Sequence, residues 1–213
     1  MNWLEERLPG IGHIAKDIAE HPVPSHTLNI FYCLGGLTLL CFIVQCLTGI
    51  FLAFYYKPTP EAAFASVQMI TNEVRFGSVI RSMHHWSCQL MILLVFLHML
   101  RVYYTGAFKK PRELNWVAGC FLLVLSLGLA FTGYLLPYEQ LSYWASVIGA
   151  ETANTLPVIG PTLKIMMQGG IKVTAEMLSR FYVLHVMILP AVTIGFLVAH
   201  FIMIRVQGIS DPM

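Results

Sequence analysis

Four long apolar segments constrain this chain more than any other feature of its sequence. They extend approximately over residues 30–55, 80–104, 116–136 and 181–204. A helix that rises about 1.5 Å per residue needs around twenty apolar residues to cross roughly 30 Å of hydrocarbon, and each segment is that long. Membrane-spanning strands would be about ten residues long with alternating polarity. The segments therefore predict an all-α, transmembrane four-helix bundle.

The composition agrees with a membrane protein. Only 11% of the 213 residues are charged, whereas soluble domains are about a quarter charged. The net charge of +2 gives no reason to expect a nucleic-acid partner. Residues 1–29 mix apolar and charged side chains, which predicts an N-terminal interfacial helix and linker, and residues 137–178 predict a loop with short helices. We expect residues 1–213 to form one domain.

Basic residues predict how the bundle is oriented in the membrane. The short connection between the second and third segments carries Lys109, Lys110 and Arg112, and Arg101 lies close to it. The positive-inside rule places this connection on the cytoplasmic or equivalent face, called here the n-side, opposite the p-side. The N-terminus is then expected on the n-side and the 137–178 loop on the p-side.

Histidines occur in pairs on two of the apolar segments. His84 and His98 are fourteen residues apart, so they lie within roughly 40° of one helix face and about 21 Å apart along it. His185 and His200 are fifteen apart, and a local distortion near Pro190 would absorb the resulting difference of about 60°. The second and fourth segments run in the same direction. We therefore pair His84 with His185 near the p-side and His98 with His200 near the n-side.

Two imidazoles that face each other across a bundle suit a haem iron. Both axial positions are then filled, and such iron transfers electrons. The first and third segments carry glycines that are also fourteen apart, namely Gly35, Gly49, Gly119 and Gly133. A missing side chain lets a flat macrocycle approach the backbone closely. Two levels of histidine and two levels of glycine together predict two noncovalent b haems.

Each of these features alone also has a simpler interpretation. Histidines in membrane helices serve as hydrogen-bonded or proton-relay groups, and glycines serve helix packing. Arg81, Arg112 and Arg205 are candidate partners of haem propionates, with contact to lipid as the alternative. Two rival functions are a di-haem membrane anchor of a respiratory dehydrogenase and a haem-free ion transporter.

Six longer motifs carry a resemblance to a known family. They occupy residues 29–36, 80–84, 108–114, 157–160, 180–185 and 200–205. Together they resemble the cytochrome b6 family, the four-helix cytochrome b subunits of cytochrome b6f-type complexes, over nearly the entire chain. The resemblance implies an electron-transfer subunit of a proton-translocating quinol:cytochrome c or plastocyanin oxidoreductase that is inactive as an isolated chain.

The resemblance also implies cofactor roles for individual residues. Electrons would cross the membrane from the His84/His185 haem to the His98/His200 haem. The cysteine of the NIFYC motif, Cys33, would carry a third, c-type haem through a single thioether. An n-side quinone pocket would follow, with Asp17 and Arg205 as candidates for quinone binding or proton uptake.

The partners and the quinone are further expectations from the family. The sequence Pro137-Tyr138-Glu139-Gln140 stands where plant-like members read PWDQ. The expected quinone is therefore either menaquinone or plastoquinone. A PEWY motif is missing from the sequence, and a partner resembling subunit IV would supply it. The resemblance further implies a Rieske iron–sulfur protein, a c-type cytochrome or cytochrome f, and a dimeric complex in the bacterial cytoplasmic or thylakoid membrane.

Overall fold

The computed structural model describes residue 16 and residues 30–210, and this part of the chain is built from helices. Residues 1–29 other than residue 16, including Asp17 and most of the expected interfacial helix, lie outside the described residues. The helices are α1 Ile30–Ala53, α2 Ala63–Asn72, α3 Gly77–Tyr104, α4 Glu113–Leu135, α5 Gln140–Asn154, α6 Gly160–Gln168, α7 Ala175–Val183 and α8 Leu189–Gln207. A π-helical turn, Leu184–Ile188, joins α7 to α8.

Four helical stretches are long and apolar enough to span a membrane: α1, α3, α4 and the continuous stretch Ala175–Gln207. The fourth begins six residues earlier than the sequence predicts. Glu176 and Arg180 interrupt the apolar run there, but Met177 and Phe181, about 100° away around α7, are buried. The all-α, four-helix membrane architecture is confirmed.

The four spans pack chiefly as two pairs, α1 with α3 and α4 with α8. Phe42 of α1, Met91 and Leu94 of α3 and Leu129 of α4 belong to one buried apolar cluster that joins the pairs. Only 6% to 22% of the most apolar part of each span is buried within the chain. Most of the outer surface is therefore suited to lipid or to other membrane subunits.

The end of the bundle that carries α5 and α6 has a separate set of contacts. The Tyr56 hydroxyl donates to the Leu136 carbonyl across 2.6 Å and so connects the ends of α1 and α4. Burial, and then the neighbouring Tyr182, raise the pKa of Tyr56 above the usual tyrosine range. Tyr56 therefore keeps its proton, and hence this hydrogen bond, throughout the neutral pH range.

Candidate functional site

Four residues, one from each of the four spans, come close together, and we call this set the His84 level. Its members are Gly49, His84, Gly133 and His185. The rings of His84 on α3 and His185 in the π-helical turn have centroids 6.3 Å apart and cross at 76°. A Cβ added at Gly49 of α1 would lie 3.4 Å from Cε1 of His84, and one added at Gly133 of α4 would lie 2.6 Å from Cε1 of His185. Each glycine thus leaves room for one imidazole.

A second set of four residues, which we call the His98 level, consists of Gly35, His98, Gly119 and His200. A Cβ added at Gly35 would lie 3.0 Å from Cε1 of His98, and one added at Gly119 would lie 3.8 Å from Cε1 of His200. All four residues line one cavity of about 520 Å³. The Nδ1 atoms of both histidines are buried and have no hydrogen-bonding partner among the described residues. Buried polar atoms beside a cavity of ligand size favour a bound group there.

The π-helical turn brings the histidines of the fourth span into register. Within it the Leu189 amide donates to the Leu184 carbonyl, five residues back instead of four. Such a turn accommodates one extra residue, so the fifteen-residue spacing of His185 and His200 behaves like the fourteen-residue spacing on α3. The turn ends two residues before Pro190, whose ring nitrogen has no proton to donate. The sequence predicts a distortion near this proline, and the structure has one.

The other predicted residues are distributed unevenly around the two levels. Cys33 is half-buried and lines the same cavity as the His98 level. Arg112 also lines it and donates through Nε to the Gly208 carbonyl across 3.4 Å. Arg205 lies on an exposed part of α8. Arg81 is exposed, and its Nη1 donates to Thr71 of α2 across 3.3 Å.

Arg101 is a cation at the His98 level that was not among the predicted site residues. Its guanidinium carbon lies 4.8 Å from the ring centroid of Tyr32, and it lines the cavity. Its Nε is buried without a hydrogen-bonding partner in the described part of the chain. Its position in the sequence could have identified it, because Arg101 lies one helical turn after His98 just as Arg81 lies one turn before His84.

The donor set argues against a metal held by protein ligands alone. Within residues 30–210, no group of three or more His, Cys, Asp or Glu side chains could hold a metal ion. Structural zinc needs four protein ligands, and catalytic zinc needs three. Two imidazoles at each level instead match the axial positions of an iron whose other ligands come from a macrocycle.

Comparison with known proteins agrees with this geometry. The family profile described as Cytochrome b/b6/petB matches residues 18–208. This chain belongs to the cytochrome b/b6 family. The cytochrome b/b6 chain is 98% identical to "Cytochrome b6" of Heliobacterium modesticaldum, with 100% of both chains covered. It is 94% identical to "Cytochrome b6" of Heliomicrobium gestii, again over 100% of both chains.

A solved structure shows the same fold. A chain of "Hyperthermophilic respiratory Complex III" superposes on this cytochrome b/b6 chain with a TM-score of 0.88 and 32% sequence identity. The match covers 99% of this chain and 56% of the other, so this chain spans little more than half the length of that structural relative. The family resemblance is confirmed, the chain is an integral membrane protein, and membership of a cytochrome b family implies binding of b haem.

Proposed function

We propose that this chain is the electron-transferring cytochrome b subunit of a quinol:cytochrome c or plastocyanin oxidoreductase of the cytochrome b6f type, with residues 1–213 forming a single membrane domain. The observation that carries the proposal is the convergence of a histidine pair and a glycine pair at each of two levels. His84 and His185 are the proposed iron ligands at one level, and His98 and His200 at the other.

The residues around the two levels fit b haem. When bound, each haem supplies an iron that gains and loses one electron reversibly. The four imidazoles would hold the two irons, and the four glycines leave room for the imidazole rings. Phe42, Met91 and Leu94 are buried and keep water out of the bundle between the levels. A dry interior with two histidine pairs about 21 Å apart along α3 supports electron transfer across the membrane.

The cavity of the His98 level supports two finer assignments. Its lining includes Cys33 together with His98 and His200, so a c-type haem attached to Cys33 by one thioether would lie beside the second b haem. Arg101 and Arg112 line the same cavity and would pair with anionic propionates. A menaquinone or plastoquinone pocket near Asp17 and Arg205, where protons are taken up, belongs to the same proposal.

The proposal also includes an orientation and a set of partners. The basic connection at Lys109, Lys110 and Arg112 supports an orientation with the His98 level and the N-terminus on the n-side and the His84 level on the p-side. Quinol oxidation on the p-side would require a subunit IV-like protein that supplies PEWY, a Rieske protein, and a c-type cytochrome or cytochrome f. Proton release there and uptake on the n-side would couple electron transfer to proton translocation in a dimeric complex.

Two rival functions fit less well. A di-haem anchor of a dehydrogenase would share the paired histidines, but it would need no thioether at Cys33. A haem-free ion transporter would have no use for a glycine against each of four imidazoles. Membership of the cytochrome b/b6 family supports the oxidoreductase over both rivals.

Counting haems in the purified complex tests the proposal. A pyridine haemochrome assay should find two b haems and one c haem for each copy of this chain. After extraction with acidified acetone, the denatured polypeptide should keep peroxidase activity that Cys33→Ser removes and Cys120→Ser, at another half-buried cysteine, leaves intact. Two b haems without a covalent haem would contradict the Cys33 assignment, and a complex without b haem would refute the function.

A further inference from the structure

The His84 level has a feature that the His98 level lacks: a threonine directly before each of its glycines. Oγ1 of Thr48 lies 2.8 Å from Nδ1 of His84. Oγ1 of Thr132 lies 3.1 Å from Nδ1 of His185. Both threonines are buried, with 6% and 5% of their surfaces exposed. Each imidazole of this level therefore meets a Thr-Gly pair, one on α1 and the other on α4. The threonine contacts Nδ1, and the glycine leaves room for the ring.

The direction of these two hydrogen bonds follows from the threonine proton. A hydroxyl has one proton to donate and two lone pairs that accept. Thr48 donates its proton to the Val44 carbonyl at 2.6 Å, one turn back in α1. Thr132 donates to the Gly128 carbonyl at 2.8 Å in the same way. A threonine that donates to its own helix has its oxygen free to accept, and this favours an Nδ1–H donor on the histidine.

The His98 level has no equivalent hydroxyl groups. Leu34 precedes Gly35 on α1, and Ala118 precedes Gly119 on α4. Consistent with this, the Nδ1 atoms of its two histidines have no partner within the described ranges. The two levels share their histidine and glycine positions but differ in whether a threonine hydroxyl contacts Nδ1 of each imidazole.

Building on the function proposed above, we infer that Thr48 and Thr132 are positioning residues that hold His84 and His185 as the Nδ1–H tautomer and leave each Nε2 lone pair for the iron. A histidine that donates its other ring N–H to an acceptor is oriented by it and becomes a more basic ligand. A more basic ligand stabilises oxidised iron over reduced iron and so lowers the midpoint potential. The threonines thus make the His84-level haem the harder of the two to reduce.

Redox potentiometry of the membrane complex carrying Thr48→Val tests this role. Valine has a similar shape but accepts no hydrogen bond, so the potential of the His84-level haem should become more positive while the other b haem is unchanged. Titration in a His98→Ala background, which removes the second level, assigns the shifted step. Thr48→Ser should restore the original potential. Ser146→Ala is the control for loss of a buried hydroxyl, because Ser146 is 2% exposed, donates to its own helix at the Tyr143 carbonyl and lies in α5, outside the four spans.

A gain of function at the other level makes the test independent of how well the Thr48 variant assembles. Ala118→Ser would supply an acceptor near His200, and the potential of the His98-level haem alone should become more negative. The inference would be overturned if both b haems are present but their potentials do not change in Thr48→Val and Ala118→Ser. It would also be overturned if both potentials shift together. Either outcome would leave the proposed function standing. A wild-type complex without b haem would overturn both.

Discussion

Among the four glycines that face histidines, Gly133 has the least space for a side chain. A Cβ there would lie 2.6 Å from Cε1 of His185, closer than nonbonded carbon atoms approach. Replacement of Gly133 by any other residue should therefore disturb the site, whatever the size of the new side chain. Even the smallest side chain would have to displace the imidazole.

We predict that Gly133→Ala lowers the b haem content of the complex from two haems for each chain toward one, with the loss at the His84 level. Gly195→Ala is the matched control, because nothing lies within 4 Å of a Cβ at Gly195 in α8. Alanine also favours a helix over glycine by about 1 kcal/mol, so the control should be at least as stable as the wild type. Haemochrome and redox difference spectra of the two variants give the comparison. Equal haem content in both would contradict the importance of the space at Gly133.

Residue spacing predicts the positions of the four histidines and four glycines because one helical period controls all eight. It does not identify Arg101 or the two threonines. Their participation depends on which way a side chain turns and which atom it meets, and spacing alone carries no such information. Arg81 illustrates the same limit, since one helical turn separates it from His84, yet its guanidinium contacts Thr71.

At the scale of elements, the π-helical turn determines whether the fourth span can present both of its histidines to the bundle. The difference between the fourteen-residue and fifteen-residue histidine spacings predicts a distortion near Pro190. The spacing does not specify the kind of distortion, because a kink would also serve. The early start of α7 is missed for a different reason: Glu176 and Arg180 lower the hydropathy of a segment whose other face packs inward.

We predict that deletion of Met187, within the π-helical turn, leaves both b haems in place. The turn would revert to regular α-helix, and fourteen residues would then separate the two histidines. Deletion of Leu93 in α3 is the matched control, since Leu93 is also exposed but lies in regular helix. There the deletion would rotate His84 and His98 apart by about 100°, and one b haem should be lost. Retention of both haems in the Leu93 deletion would contradict this account.

At the scale of the whole molecule, the two levels are independent units stacked along the same four spans. Each span contributes one residue to each level, and the apolar cluster around Met91 and Leu129 lies between them. The spans expose most of their apolar surface, so their lateral packing depends on lipid and partners. Losing the ligands of one level should therefore leave the backbone around the other in place.

We predict that His200→Ala removes the b haem of the His98 level and leaves the other fully occupied. The remaining haem should keep the low-spin spectrum of an iron with two histidine ligands, because His84 and His185 are unchanged. Low-temperature optical spectra and electron paramagnetic resonance of the assembled complex separate the two signals. Loss of both haems in equal measure would show that the levels are not independent.

The π-helical turn has a consequence for how chains of this kind are compared. It behaves as an inserted residue that the helix has absorbed locally, next to His185. Two relatives that differ by one residue in this span can therefore have superimposable sites. A gap opened in their alignment belongs between residues 184 and 188, and placing it elsewhere would pair lipid-facing residues with residues that face the bundle.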